Sequence, residues 1–188
     1  MRGKIALIDC GSQKVVDIEN FLSELNEEFE TIKMHEMEPS IIESAKGVII
    51  SGAPILLTET DPTSFTSKFE WIQEFENPVL GICFGHQIIG LLNGSEIRKG
   101  QEMRTVEEIK IKVSSSLFNH IKEDMIMGQD HCEEITLPND FKLLASSKSC
   151  EVEAIQHIFK PIFGVQFHPE ISGNQGLMLL KNFVKTCN

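Results

Sequence analysis

The segment at residues 79–89 constrains the fold of this chain more than any other stretch. It opens with a short apolar run that predicts a buried strand, and its later apolar residues follow helical spacing. Between them lies a Gly-X-Cys-X-Gly turn. Gly81 and Gly85 lack a Cβ, so the backbone can bend sharply and the strand and helix can approach closely. The turn places the Cys83 sulfur at a helix N-terminus, where the dipole favours a thiolate. The segment therefore predicts a nucleophile elbow that carries cysteine.

The elbow by itself leaves the role of Cys83 open, because cysteine is often buried simply as a small hydrophobic residue. A second segment, residues 164–170, favours the nucleophile. It is another apolar strand, and it ends in His168 and Glu170 with Pro169 stiffening the link between them. A thiol needs a base to take its proton, and that base needs a third group to fix its tautomer. Cys83, His168 and Glu170 supply this set, each at the end of a predicted strand.

The alternation of strand and helix patterns predicts the architecture. We expect an α/β fold with an open, mostly parallel twisted sheet, helices on both faces, and a small antiparallel extension from the middle of the chain. The chain has 188 residues, of which 41% are hydrophobic, so residues 1–188 are expected to form a single domain. Ligands of such folds bind at the carboxyl ends of the strands, where Cys83, Gly52 and His168 all fall.

Hydrophobic periodicity locates the individual elements. Strands are predicted near residues 4–9, 30–34, 47–50, 105–113, 125–127, 141–145, 152–158 and 162–167. Helices are predicted to begin near residues 15, 39, 84 and 176. Apolar residues at positions 65, 69, 72 and 75 predict one further amphipathic helix, and residues 128–135 are interpreted as a loop.

Charge and composition exclude several classes of function. Seventeen basic residues against 28 acidic ones give a net charge of −11, which disfavours a nucleic-acid partner. The apolar runs are too short to cross a bilayer and no signal peptide is visible, so we expect no membrane association and a cytoplasmic location. Five cysteines without paired spacing predict no disulfide framework, and no Cys/His spacing indicates a metal site.

The two segments resemble the signature motifs of the triad, or class I, glutamine amidotransferases. The motifs are Gly-Ile-Cys-Phe-Gly-His-Gln at 81–87 and Gly-Val-Gln-Phe-His-Pro-Glu at 164–170, in the family's order and with its wide separation. The resemblance covers essentially the whole chain. It implies a glutaminase that hydrolyses the side-chain amide of glutamine through a cysteine thioester and that needs no metal or organic cofactor.

The resemblance also implies an oxyanion hole and a substrate contact. The strand at 47–50 runs into Ser-Gly-Ala-Pro, where the family has a Gly-rich turn. The backbone N–H groups of Gly52 and Phe84 are therefore the expected oxyanion donors, since two preorganised N–H groups suit a developing oxyanion. An ordinary strand-ending turn is the alternative for Gly52, and Ala53 replaces the usual second glycine. Gln87, one turn into the elbow helix, is expected to bind the substrate glutamine.

A further match lies at residues 128–135, where relatives hold the amino-acid end of glutamine. The family usually has Ser-His there, with a hydrophobic residue four positions after the histidine. His131 and Ile135 keep that spacing, whereas Asp130 replaces the serine. Asp130 and His131 are therefore predicted substrate-binding residues. The Asp130 carboxylate either meets the substrate ammonium or points to water. A Glu-Tyr-Gly-like segment of many relatives is replaced here by Glu-Met-Arg at 102–104.

The opening segment resembles one branch of the family. Asp-Cys-Gly-Ser-Gln at 9–13 is similar to the start of the glutaminase part of GMP synthases. The chain has no Gly-rich phosphate loop, so the resemblance implies a separate synthetase subunit of the ATP-pyrophosphatase type. That partner, and not this chain, would use ATP and Mg. The alternatives are the glutaminase subunits of anthranilate, aminodeoxychorismate or imidazole-glycerol-phosphate synthase, a free-standing γ-glutamyl cysteine hydrolase, and a non-catalytic regulatory subunit.

Overall fold

The fold was determined as a computed structural model that describes residues 3–122 and 124–188. Its strands are β1 (Ile5–Asp9), β2 (Phe29–Lys33), β3 (Gly47–Ile50), β4 (Val79–Ile82), β5 (Ile97–Met103), β6 (Val106–Ile111), β7 (Asp124–Gly128), β8 (His131–Ile135), β9 (Phe141–Ser146), β10 (Ala154–His157) and β11 (Ile162–Val165). Its α-helices are α1 (Val15–Glu24), α2 (Pro39–Ser44), α3 (Thr63–Thr66), α4 (Phe84–Leu92) and α5 (Gly173–Thr186). Short 3-10 turns cover Glu70–Gln73, Ser116–Phe118 and Pro169–Ile171.

Two sheets organise the described residues. The larger sheet has the strand order β2-β1-β3-β4-β11-β10-β9-β6-β7, and β5 pairs with β8 in a second, two-stranded sheet. The strands from β2 to β11 in that order run parallel, and those from β10 onward are antiparallel. The predicted α/β class, with a parallel sheet and an antiparallel extension, is confirmed. β2 lies at the parallel edge of the sheet.

Helices cover both faces of the sheet because successive residues of a strand point to opposite sides. In β1, Ile5 and Leu7 pack with the apolar faces of α1 and α5. Ala6 and Ile8 pack on the other side, with apolar residues of α2 and α4. The central parallel strands are therefore buried on both faces, which explains their continuous apolar runs.

The single helix predicted through residues 65–75 is wrong. The chain forms the short α3 and then the 3-10 turn at Glu70–Gln73. The apolar spacing still identifies core residues of this segment, since Phe69 and Ile72 are fully buried. Phenylalanine, tryptophan and isoleucine are weak helix formers, so burial of these side chains decides the local structure and a continuous helix is not required.

The sequence does not predict the antiparallel pairing of β5 with β8, which are separated in the chain by β6 and β7. The sequence predicts a loop at residues 128–135, but residues 131–135 form a strand in which His131, Glu133 and Ile135 are buried. Two of these three inward residues are polar, which hides the period of two that marks a half-buried strand. Within the described ranges, none of the helices is both long enough and apolar enough to cross a membrane.

Candidate active site

The turn between β4 and α4 holds Cys83 in a strained conformation. Its backbone has φ 51° and ψ −102°, and a positive φ is costly for a residue with a Cβ. The flanking glycines make the turn possible. A Cβ on Gly81 would lie 2.4 Å from the carbonyl carbon of Gly85, and one on Gly85 would lie 2.5 Å from the carbonyl oxygen of Ile50. The Cys83 N–H donates to the carbonyl oxygen of Val165 at 2.8 Å, which ties the elbow to β11.

The predicted base and its orienting group follow the strand next to the elbow. β11 pairs in parallel with β4, with Val165 opposite Ile82, so the chain beyond each strand emerges at the same edge. His168 Nδ1 lies 2.7 Å from Glu170 Oε1, and the two side chains are only 3% and 1% exposed. The backbone N–H of His168 donates to the backbone carbonyl oxygen of Gly128 at 2.9 Å. This contact joins the base to the end of β7.

The surroundings of His168 favour its charged form. Burial alone would lower the pKa of His168, but the charge and hydrogen bond of Cys83, together with Glu170, raise this pKa to about 10. An imidazolium at neutral pH is a suitable partner for a cysteine thiolate. His86, three residues after Cys83, is fully buried, and desolvation lowers its pKa to about 3. His86 is therefore held neutral, and His168 is the histidine suited to proton transfer here.

Gly52 and Phe84, the expected oxyanion donors, lie beside the sulfur. A Cβ on Gly52 would stand 3.1 Å from His168 Cε1 and 3.6 Å from Cys83 Cβ, so only glycine leaves room for a substrate group there. Phe84 is the first residue of α4, and the N–H groups of a first helical turn have no acceptor within their own helix. The Ser51 hydroxyl donates to the Gly52 carbonyl oxygen at 2.9 Å and so holds this turn in place.

Two buried glutamines connect the elbow with β8. The Gln87 side-chain nitrogen donates to the Glu133 carbonyl oxygen at 3.3 Å and to Gln166 Oε1 at 3.2 Å. The Gln166 side-chain nitrogen lies 3.6 Å from the Cys83 sulfur. No role was predicted for Gln166 from the sequence, although it lies inside the 164–170 motif. The available signal was its position two residues before His168, which places both side chains on one face of an extended chain.

The Asp130 carboxylate lies at the cavity wall and is paired with two cations of this chain. Its carboxylate accepts hydrogen bonds from Lys14 and from Arg104, which come from two distant parts of the chain. Partial burial would raise the pKa of Asp130, but these two cations lower it by more. Arg104 also pairs with Glu102 at 3.3 Å. Lys14, Asp130, Arg104 and Glu102 thus form a chain of alternating charges, which we call the mouth cluster.

His131, the other residue predicted to bind substrate, is buried beside the mouth cluster. Its Nδ1 lies 3.2 Å from the Glu133 carbonyl oxygen, and among the described residues its Nε2 has no hydrogen-bond partner. Burial is the main reason why the pKa of His131 lies below its ordinary value. In the neutral imidazole the Nδ1–H donates to this carbonyl oxygen, which leaves Nε2 as a buried, unpaired acceptor.

Glu133 has a role that was not predicted from the sequence. Its carboxylate accepts from the Leu57 N–H at 2.9 Å and from the Thr58 N–H at 2.7 Å. These bonds fasten the segment that follows the Gly52 turn to β8, so one wall of the site is held against another. A buried acid on a short strand of mixed polarity gives no sequence pattern that would distinguish this role.

One cavity of about 640 Å³ extends from the Cys83 sulfur to the mouth cluster. It is lined by residues 11–14, 53–56 and 130–133, together with Cys83, Gln87, His168 and the remaining two residues of the mouth cluster, Glu102 and Arg104. The sulfur, the imidazole and the mouth cluster therefore face a common space. Such a space can hold a small polar molecule with its reactive group at Cys83 and its charged end at the mouth.

Comparison with known proteins points to one family. The family model described as Glutamine amidotransferase class-I matches residues 6–187. A Pyrococcus furiosus protein, named as a subunit of glutamine-hydrolyzing GMP synthase, is 39% identical over 145 residues, covering 76% of each chain. The Methanococcus maripaludis protein that carries the same name is 36% identical over 188 residues, covering 97% of this chain and 96% of that one. A solved structure from Thermoplasma acidophilum, described as a GMP synthase subunit, has a TM-score of 0.90 at 27% identity and covers 100% of this chain and 94% of its own.

Proposed function

We propose that this chain, which belongs to the class-I glutamine amidotransferase family, hydrolyses the side-chain amide of glutamine and passes the ammonia to a separate synthetase subunit. The observation that carries the proposal is the strained Cys83 facing the buried His168–Glu170 pair across one cavity. Acyl transfer of this kind uses a nucleophile, a base that takes its proton, and a carboxylate that orients the base.

In the first half of the reaction, the Cys83 thiolate attacks the side-chain carbonyl carbon of glutamine and a C–S bond forms. The oxyanion that develops is held by the N–H groups of Gly52 and Phe84. His168 gives its proton to the amide nitrogen, the C–N bond breaks, and ammonia leaves. The product on the protein is a γ-glutamyl thioester at Cys83.

In the second half, His168 takes a proton from water while the water oxygen attacks the thioester carbon. The C–S bond breaks, glutamate is released, and the thiolate is restored. Glu170 keeps the Nδ1–H of His168 bound throughout, so the other ring nitrogen is directed at the reacting atoms. These steps use only side chains, backbone N–H groups and water of this site.

The mouth cluster provides a way to recognise the amino-acid end of glutamine. Lys14 and the substrate both carry an ammonium group, so the substrate ammonium can replace that of Lys14 on Asp130. The released Lys14 then pairs with the substrate carboxylate, while Arg104 stays on the other oxygen of Asp130 and keeps it oriented. The exchange leaves the number of ion pairs at the cluster undiminished. His131 Nε2 and Gln87 Oε1 complete the proposed contacts.

The synthetase partner is inferred from the relatives. Proteins of similar length that share a third of the sequence are named as one subunit of GMP synthase, and an enzyme with a named subunit has at least one other. An ATP-pyrophosphatase subunit would use ATP and Mg to activate the acceptor. The proposal includes one domain spanning residues 1–188, a cytoplasmic location, and no nucleic-acid partner for a chain of net charge −11.

The test uses the complex of the chain with its synthetase. Cys83→Ala should abolish product formation from glutamine but leave product formation from ammonium salts intact, because the sulfur acts only in ammonia production. If Cys83→Ala still used glutamine, the nucleophile would be another group. If wild-type complex used ammonium salts but never glutamine, the chain would not be a glutaminase.

A further inference from the structure

The two buried glutamines near the sulfur have only one consistent orientation. The Glu133 carbonyl oxygen can only accept, so the Gln87 side chain must turn its nitrogen toward it. The second N–H of that nitrogen then meets Gln166, which must present its oxygen. The remaining end of the Gln166 amide is its nitrogen, and this is the end that lies 3.6 Å from Cys83. A backbone carbonyl thus fixes the direction of a relay that ends with an N–H aimed at the sulfur.

We infer that Gln166 is a catalytic residue whose side-chain N–H donates to the Cys83 sulfur and stabilises it as a thiolate, and that Gln87 positions Gln166 for this role. The inference deepens the proposed function and names a group that neither the triad nor the oxyanion hole includes. The inference also gives Gln87 a second role besides contact with the substrate. Both of its side-chain N–H groups donate to Glu133 and Gln166, so only its side-chain oxygen is free to bind a ligand.

The surroundings of the sulfur explain why this donor matters. The carbonyl oxygen of Asp130 lies 3.9 Å from the sulfur and is an acceptor, so it favours the protonated thiol. The Gln166 N–H is a donor and favours the thiolate. Gln166 is fully buried, and its backbone N–H is held by the Glu153 carbonyl oxygen at 2.8 Å, so its side chain has no water to compete for it. A donor fixed in a dry site needs no reorganisation when charge appears on the sulfur.

The main readout of the experiment is the reactivity of the Cys83 sulfur, which is measured without glutamine. The rate at which iodoacetamide alkylates Cys83 is measured from acid to alkaline pH, with the site of alkylation mapped by mass spectrometry. Gln166→Met removes the donor at similar size, and its alkylation curve should shift to higher pH by about one unit, because hydrogen bonds to charged groups are the strong ones. The rate of thioester formation in a single turnover should fall roughly 10- to 100-fold.

Two further variants separate the relay from a merely structural effect. Gln87→Met leaves Gln166 in place but removes the group that orients it, so it should produce part of the same shift. The double variant should shift no further than Gln166→Met. Asn182→Leu is the matched control: it removes another buried amide, which bonds the carbonyl oxygens of Leu117 and Asn119 on α5's side of the sheet, and should leave the curve unchanged.

The outcomes are distinct. An unchanged alkylation curve in folded Gln166→Met would overturn the inference, as would a shift of equal size in Asn182→Leu. If Gln166→Met does not fold, Gln166→Asn serves instead, since a shorter amide withdraws the N–H from the sulfur and predicts the same direction of shift. A shift observed in a chain that hydrolyses no glutamine would support the relay and refute the proposed function.

Discussion

His168 Nδ1 and Glu170 Oε1 lie 2.7 Å apart in a place where neither side chain has meaningful contact with water. Among the described residues, the second oxygen of Glu170 has no hydrogen-bond partner. Within this pair, the imidazole is the hydrogen-bond partner of the Glu170 carboxylate, and the carboxylate fixes the orientation of the imidazole. Removing either member of such a buried pair leaves the other unsatisfied.

The first prediction follows from this pair. His168→Ala should slow thioester formation by roughly 100- to 10,000-fold, because a positioned general acid and base typically contributes that much. Glu170→Gln should lose less, since it keeps a hydrogen bond to Nδ1 and removes only the charge. Rapid-quench measurement of the acyl intermediate reports both rates. Full activity of Glu170→Gln would mean that another group orients His168.

The second prediction concerns pH and stability. The pKa of His168 is raised from 6.5 to about 10 in the folded chain. The stability that its charged form contributes is therefore complete below pH 6.5 and is lost as the pH rises through about 10. Cys83→Ala removes the main group that raises this pKa. The difference in unfolding free energy between wild type and Cys83→Ala should fall as the pH rises from about 8 to beyond 10.

Urea unfolding at a series of pH values measures this difference. Other groups titrate in the same range, but all of them except the Cys83 thiol are common to both proteins and cancel in the comparison. A difference that stays constant with pH would contradict an imidazolium held by the Cys83 sulfur.

The third prediction concerns the elbow glycines. Gly81→Ala and Gly85→Ala would each push a Cβ to within 2.5 Å of backbone atoms that cannot move aside. Each should destabilise the chain by about 1–3 kcal/mol or more, as overpacking does, and displace Cys83. Gly100→Ala is the control, because the atoms nearest to its Cβ would belong to the flexible side chain of Glu134, at 3.2 Å. Equal stability of the Gly85 and Gly100 variants would show that the elbow relaxes freely.

The fourth prediction tests ion-pair exchange at the mouth cluster. Asp130→Asn should raise the KM for L-glutamine and reduce the preference for it over N-acetyl-L-glutamine, which lacks the ammonium. Lys14→Met should instead reduce the preference over glutaminamide, which lacks the carboxylate. Losing a hydrogen bond to a charged group costs about 1.5–3 kcal/mol, so each preference should fall roughly 10- to 100-fold while kcat changes little.

Lys99→Met is the matched control for these variants, since Lys99 pairs with Glu59 at 2.9 Å outside the cavity lining. It should leave both preferences unchanged. If Asp130→Asn kept the full preference against N-acetyl-L-glutamine, Asp130 would have a structural role only.

The sequence could predict that the three proposed triad residues lie at one edge of the sheet, because each of them follows a strand. Cys83 and His168 are 85 positions apart, but each follows a buried parallel strand, and the ends of neighbouring parallel strands meet at one edge of a sheet. Short motifs with glycine at defined positions also fix the local backbone. The architecture followed for the same reason, since continuous apolar runs mark strands that are buried on both faces.

The mouth cluster could not be located in this way. Lys14, Arg104 and Asp130 belong to three separate connections. The antiparallel pairing of β5 with β8, two strands that are distant in the chain, helps to bring them together. Polar residues that are buried by pairing with each other do not produce the hydrophobic periodicity from which elements are predicted.

The role of Gln166 could not be predicted for another reason. Its motif is recognisable in the sequence, but the orientation of its side-chain amide is set by neighbours in space and not by its position in the sequence.

The central claim is that glutamine forms a thioester with Cys83, and the most direct measurement is the covalent state of the cysteines during turnover. The chain with its synthetase, ATP and acceptor is mixed with L-glutamine, quenched in acid within milliseconds, digested, and analysed by mass spectrometry. We predict a γ-glutamyl group on the peptide that contains Cys83 and none in Cys83→Ala. Cys132 lines the same cavity and serves as an internal control. Acylation of Cys132, or glutamate release without any acylated Cys83, would contradict the account.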